Sequence, residues 1–332
     1  MQMLSMIVFL VMSLMASLAM MFMSSIFWVW VMTDIGTIFL IPFLSAETRP
    51  KKSWFTGVAT YFVIQFFGSV MILGGIIIEW TVQASDCSSG MMCFGFALKL
   101  GMVPLHFWVS RSFVYFHYGG VFIVGAGQKV FIVACVPMFS DVPACAYAYY
   151  FMAAGSMVYA PVAMFNAITV KSFLAYSSVN HTGFLVITSC FGLHMVYMYS
   201  FIYCVSMAFL TFMLWSGDCK YMKNLGSDLP GYFKTGFVCT ALSFSGFPPF
   251  LDFCTKFVVL QVSMEQDSMI TIVTILSSSL VNLIVWIWVT FVAASSEVKE
   301  PGFLSGTIGQ NVLNISCVIW NLFMGVGFSM LY

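Results

Sequence analysis

Apolar runs near twenty residues long follow one another along this chain, and the polar positions between them seldom amount to more than a short loop. A helix needs about 20 predominantly apolar residues to cross a bilayer core. Marking off runs of that length predicts eleven spans, over residues 3–23, 26–45, 54–78, 91–109, 119–139, 145–165, 173–192, 195–215, 236–260, 269–293 and 308–331. Only Ser24 and Ser25 part the first two. The expected fold class is an all-α polytopic membrane protein of about 11 transmembrane helices, forming a single membrane domain over residues 1–332.

Two of these runs are interrupted beside a lysine. The fourth reads Lys99-Leu-Gly-Met-Val-Pro104, and the ninth reads Ser245-Gly-Phe-Pro-Pro-Phe-Leu-Asp-Phe-Cys-Thr-Lys256. Backbone groups freed at membrane depth are tolerated only where protein or a wet cavity satisfies them, so both runs are expected to be discontinuous helices facing an interior path. They take the same place in two halves of five spans, residues 1–139 and 145–293, with 308–331 as an extra helix. Units with an odd helix number insert upside down relative to each other, which makes the expected arrangement an inverted repeat, and paired broken helices in such repeats point to a transport site.

Composition agrees with the runs. Hydrophobic residues make up 61% of the chain and charged residues 7%, against about 25% charged in soluble domains. Loop charge tests the span count separately, because Lys and Arg collect on the cytoplasmic-type side. Eleven spans put Arg49, Lys51, Lys52, Arg111, Lys171, Lys220, Lys223, Lys234 and Lys299 on the side of the N-terminus, nine of the 12 basic residues, and none opposite. The opposite loops carry Glu79, Asp86, Asp141, Glu265 and Asp267. Glu47, Asp218, Asp228, Glu297 and Glu300 share the basic side. A missed span would scramble this segregation. The start has neither the basic n-region of a signal peptide nor the Arg-rich character of a transit peptide, and is expected to be a first span.

Several chemistries find no support. The 10 cysteines contain no C-x-x-C pair, Cys87 and Cys93 being the nearest neighbours, and the four histidines form no metal-binding spacing, so no metal or redox cofactor is expected on this chain. Gly125-Ala-Gly-Gln-Lys129 lacks the spacing of a phosphate loop. Asn180-His-Thr and Asn314-Ile-Ser match the glycosylation triplet inside expected spans, where no transferase reaches.

Inside the spans remain Asp34, Lys99, Lys129, Asp252 and Lys256, with His181 in Tyr176-Ser-Ser-Val-Asn-His-Thr-Gly183 as a sixth ionisable group. Ionisable residues at membrane depth are costly and are functional candidates by default. Each also has a structural reading. Lys256 can snorkel to the interface; Lys99 and Lys129 can sit in static buried ion pairs; His181 can bond Ser177 or Ser178; Asp252 can cap a half-helix beside Pro248 and Pro249. The functional reading is a line of protonatable groups. A lysine whose distance from a carboxylate changes can switch between holding and releasing a proton, which arginine, with its permanent charge, cannot.

Trp28-Val-Trp-Val-Met-Thr-Asp34 with Ile41-Pro42, Lys99-Leu-Gly-Met-Val-Pro-Leu-His-Phe-Trp108, Gln128-Lys129, Leu174-Ala-Tyr-Ser-Ser-Val-Asn-His-Thr-Gly183 and Gly246-Phe-Pro-Pro-Phe with Lys256 occur in this order over residues 28–257. Together they resemble the antiporter-like membrane subunits of respiratory complex I, the NADH:ubiquinone oxidoreductase, and most closely an animal mitochondrial branch that lacks three N-terminal helices. The resemblance implies a proton-translocating membrane-arm subunit without its own redox centre. By it, Asp34 stands where the family has a glutamate, Lys99 is that carboxylate's partner, Lys129 is the central lysine, His181 lies on the same polar axis, and Lys256 is the distal lysine. Asp34 is one methylene shorter than glutamate, which leaves room for a bridging water. After Trp108 the family commonly reads Val-Pro-Glu, where this chain has Val109-Ser110-Arg111.

The resemblance also implies that NADH, FMN, iron–sulfur clusters and ubiquinone belong to other subunits, and that the partners are complex I membrane-arm subunits and membrane lipids, with no nucleic acid. The implied location is the mitochondrial inner membrane, multi-pass, with the N-terminus and basic loops on the matrix side. A stand-alone secondary cation/proton antiporter and a scaffold subunit with a vestigial proton path are the other classes this pattern allows.

Overall fold

The computed structural model describes residues 2–45, 52–82, 85–139, 143–248, 250–266, 268–295 and 308–329, and the named elements in them are helices. Glu47, Arg49, Lys51, Asp141, Asp267, Glu297, Lys299 and Glu300 lie outside the described residues. Among the described residues, five apolar segments are long and apolar enough to cross a membrane: Ile26–Leu44, Thr56–Thr81, Tyr118–Met138, Leu193–Ser216 and Met269–Ser295. Ser5–Met20 and Asn311–Leu322 are shorter apolar helices. Of the other expected spans, those over 91–109 and 236–260 are broken, and that over 173–192 is rich in Ser, Thr and Asn.

The chain forms two compact units, residues 1–156 with 178–196, and 157–177 with 197–332. This partition differs from the repeat boundary placed between residues 139 and 145, and it passes through three helices.

The first unit begins with α1 (Gln2–Met20), α2 (Ile26–Leu44), α3 (Lys52–Val82) and α4 (Ser85–Leu100). Glycines let α3 and α4 approach closely. A Cβ on Gly68 would stand 2.9 Å from Lys99 Cγ and 3.0 Å from Gly95 O, and one on Gly95 would stand 2.7 Å from Gly68 O. Small residues bring backbones together in this way between membrane helices, where no hydrophobic force distinguishes helix from lipid.

The fourth apolar run ends as a helix at Leu100 and resumes only at α5 (Phe107–Phe113), with Gly101 at φ 69° in the left-handed region that glycine occupies without steric cost. The fifth run is expected as one plain helix, but it divides into α6 (Tyr118–Phe122), a π-helical turn over Ile123–Gly127, α7 (Gln128–Ala134) and a 3₁₀ turn at Val136–Phe139. Then come α8 (Pro143–Met164) and α9 (Val170–Phe191), which the unit boundary crosses, as it does the helix that follows.

The second unit contains α10 (Leu193–Ser216, from Tyr197 on), a short α11 (Leu225–Asp228), α12 (Gly231–Ser245), α13 (Leu251–Glu265), α14 (Met269–Ser295) and α15 (Ile308–Ser329). The ninth run is thus α12 and α13, broken at Gly246, whose φ of 81° closes α12 with backbone N–H bonds back to Leu242 O and Ser243 O. α9 is the most thoroughly enclosed helix: between Phe173 and Ser189 only Tyr176 is not buried. It can therefore carry Ser177, Ser178, Asn180, His181 and Thr182 without showing them to lipid.

Candidate functional site

The first station is built by α2, α3 and α4. Lys99 Nζ donates to Asp34 Oδ1 at 2.7 Å and to Thr33 Oγ1 at 2.9 Å. The lysine side chain is 0% exposed and that of Asp34 24%. The Ser69 hydroxyl lies against the same Asp34 oxygen in a short hydrogen bond, and is also 3.0 Å from Gln65 O. Contact between Asp34 and Lys99 is therefore direct. The shorter carboxylate suffices without a bridging water, because the Gly68–Gly95 approach draws α4 onto α3 beside Ser69.

The carbonyls released where α4 stops are also accounted for. Trp108 Nε1 donates to Leu98 O at 3.1 Å, Gln65 Nε2 to Lys99 O at 3.3 Å, and the Gly101 and Met102 amides to Ala97 O. An ammonium in the last turn of α4 also sits at the negative end of the helix dipole.

The second station lies in the first turn of α7. Lys129 Nζ donates to Thr182 Oγ1 at 2.9 Å and to Ser178 Oγ at 3.3 Å, two hydroxyls four residues apart on one face of α9. Among the described residues no carboxylate lies within ion-pair distance of Lys129, so the static ion-pair reading does not hold for it. The π turn directly before Gln128 changes the register at which Lys129 faces inward. Such bulges are rare and gather at functional positions. Gly125 and Gly127 were the sequence signal for it. His181 is buried on α9, next to Thr182, with its ring 6.4 Å from that of Phe184. Ser177, one of its two expected partners, gives its hydroxyl to Leu174 O.

The third station is in the second unit. Lys256 is buried and turns back to the end of α12, donating to Phe244 O at 3.3 Å and Ser245 O at 3.2 Å. Snorkelling is thereby excluded, since the side chain runs inward to helix-end carbonyls. Asn282 of α14 donates to the same two oxygens, at 3.2 and 3.4 Å. The break needs glycine for its positive φ, and the missing Cβ leaves Lys256 Nζ room beside it, where an added Cβ would sit 3.0 Å away. Asp252 does not cap α13: the N-cap position is Phe250, with no side-chain cap bond, and Asp252 Oδ1 instead accepts from Ser206 Oγ of α10 at 3.4 Å.

The expected residues Asp34, Lys99, Lys129, His181 and Lys256 are thus all in place in helices, with Asp34 half-buried and the rest buried. Sequence reasoning missed Thr33, Ser69, Thr182 and Asn282 as direct partners. Nothing in their spacing marks them, since intrahelical Ser and Thr commonly bond their own backbone. Among the described residues no cluster of His, Cys, Asp and Glu could hold a metal ion.

The profile of the family described as NADH:quinone oxidoreductase/Mrp antiporter, TM, matches residues 2–282, most of the chain. The chain belongs to this family. Relatives of this antiporter family include the NADH-ubiquinone oxidoreductase chain 2 of Halichoerus grypus, 24% identical over 304 residues that cover 87% of this chain and 86% of the relative. The protein of the same name from Suricata suricatta is 26% identical over 284 residues, covering 79% of this chain and 78% of its own. Among solved structures, a chain of the Mrp complex from Dietzia sp. DQ12-45-1b superposes with a TM-score of 0.79 at 12% identity, over 92% of this chain and 72% of that one. A chain of respiratory complex I from Thermus thermophilus gives a TM-score of 0.71 at 17% identity, over 97% and 84%. At such identities the likeness shows a shared fold, and the antiporter family supplies the frame in which the three lysine stations sit.

Proposed function

We propose that this chain is a membrane-arm subunit of respiratory complex I, of the chain 2 type, which moves protons while electrons pass from NADH to ubiquinone in neighbouring subunits. Asp34, Lys99, Lys129, His181 and Lys256 are the proton-carrying residues, and the chain holds no redox centre. The observation that carries this reading is the chemistry offered to the three lysines. One has a carboxylate, one has hydroxyls and one has helix-end carbonyls. A lysine held by acceptors of such different strength retains its proton to different degrees, and that is what stepwise transfer needs.

Eleven spans in two inverted five-helix repeats complete the proposal. It is supported by helices within each expected run, and by breaks at Gly101 and Gly246, the first just after buried Lys99 in the last turn of α4 and the second at the end of α12, onto which buried Lys256 of α13 folds back. The partners are other membrane-arm subunits and membrane lipids, and the site of action is the mitochondrial inner membrane. The family description also admits a second reading, a cation/proton antiporter working alone.

The two separate on purification. The chain is expected to copurify with flavin- and iron–sulfur-bearing subunits and NADH:quinone activity. Cation/proton exchange by the isolated chain in vesicles, with no redox subunit attached, would favour the antiporter instead. Topology has its own test: cysteines introduced at residues 46–51 and around Lys220 and Lys223 are expected to react from one side of the membrane, and native Cys87 from the other. Reaction of both sets from the same side would overturn the eleven-span arrangement.

A further inference from the structure

The contacts around Asp252 account for only one of its two oxygens. It lies in the first turn of α13 without capping it, it is 4% exposed, its Oδ1 accepts from the Ser206 hydroxyl with the Ser243 side chain also beside the carboxylate, and its Oδ2 is buried with no hydrogen-bond partner among the described residues. An isolated carboxylate held away from water carries a desolvation cost that nothing here offsets fully, so the open oxygen marks an acceptor whose donor arrives from elsewhere.

The nearest mobile donor on the same helix is Lys256, 5% exposed and four residues on. Side chains at i and i+4 share a helix face, with Cβ atoms about 5–6 Å apart, a span that a lysine stem bridges easily. Lys256 now rests on Phe244 O and Ser245 O, and it can leave them cheaply: Asn282 Nδ2 donates to both oxygens as well, so departure of the ammonium orphans neither carbonyl. The absence of a Cβ at Gly246 keeps the space around Nζ open.

We propose that Asp252 is the proton acceptor of Lys256, whose side chain alternates between the carbonyl pair that ends α12 and the Asp252 carboxylate. At the carboxylate one N–H bond of the ammonium breaks and one O–H bond forms at Oδ2. The N–H electron pair stays on nitrogen. The products are a neutral amine and a carboxylic acid, and no electron changes hands. Transfer removes two buried charges together, so neither partner is left as a lone ion in a dry interior when they part. Asn282 is the positioning residue that holds the carbonyl station in register. This inference rests on the reading of Lys256 as a proton station.

The test uses the assembled complex in vesicles, with Asp252→Asn, Asp252→Glu and Lys256→Met, reading protons pumped per electron pair and the infrared difference spectrum between resting and turning-over enzyme. A carboxylic-acid C=O stretch that shifts in D2O is expected in the wild type, absent in Asp252→Asn and retained at a displaced position in Asp252→Glu. Pumping is expected to be lost in Asp252→Asn and at least partly retained in Asp252→Glu. If Lys256→Met fails to pump while Asp252→Asn pumps normally, the pairing is overturned and Lys256 stands alone as a station. If both pump normally, the station itself is overturned with it. Should Asp252→Asn not assemble, the wild-type spectrum decides, since absence of any D2O-sensitive carboxylic-acid band also overturns the proposal.

Discussion

Asp34→Asn is expected to stop proton pumping about as completely as Lys99→Met, and the double variant to be hardly worse than either single. Unit charges 2.7 Å apart attract by about 6 kcal/mol at an effective dielectric near 20. Desolvation of both groups offsets much of that. Removing one partner of such a pair strands the other, which costs about 3–5 kcal/mol when the remaining charge is fully buried. The two singles therefore differ in stability. Asp34→Asn leaves a 0% exposed ammonium with the Thr33 hydroxyl, whereas Lys99→Met leaves a 24% exposed carboxylate that keeps Ser69 and some water. Asp34→Asn is expected to assemble less well than Lys99→Met, and Lys99→Met added to it to restore assembly while pumping stays lost. Native-gel assembly and pumping rate in vesicles, arranged as a double-mutant cycle, read both quantities. Deficits that simply add, or normal pumping by Asp34→Asn, would make the aspartate a packing residue rather than half of a working pair.

Lys129→Met is expected to behave differently, with assembly unchanged and protons per electron pair reduced. No carboxylate is stranded by this substitution. The Thr182 hydroxyl already gives its proton to Ser178 O, so loss of the ammonium costs only a pair of charge-assisted hydrogen bonds, about 1.5–3 kcal/mol each before the relief of no longer burying a charge. A thioether of similar length fills the volume and cannot carry a proton. Pumping stoichiometry in assembled complex is the measurement, and an unchanged value would place Lys129 among packing residues and strengthen the scaffold reading.

Much of the architecture was legible because bilayer thickness imposes it. Helices occupy the apolar runs, and the breaks fall at Gly101 and Gly246, where Lys99-Leu-Gly and Ser245-Gly had announced them. The six ionisable groups within the runs were legible too, since a charge among apolar residues needs no tertiary information to stand out. The same reading named Lys99 as the partner of Asp34, and that contact is present, but others of its suggestions about partners did not hold. It offered Asp252 as a helix cap, Lys256 as a snorkelling residue and a water for the Asp34–Lys99 gap, and it expected one unbroken helix over 119–139.

The sequence by itself determined which residues are able to hold a proton and that each lies within an apolar run. Both follow from side-chain chemistry and from run length alone. The tertiary structure decided what each of them faces. Lys99 meets a carboxylate because glycines at 68 and 95 bring α3 and α4 together. Lys129 meets hydroxyls because a π turn sets its register against α9. Lys256 meets carbonyls because α12 ends in a left-handed glycine, where the last peptide oxygens have no amide of their own. These partners lie between 11 and 65 residues away in the chain, and no local pattern encodes them. The approach of one helix to another is settled by packing, and packing sets the strength with which each lysine holds its proton.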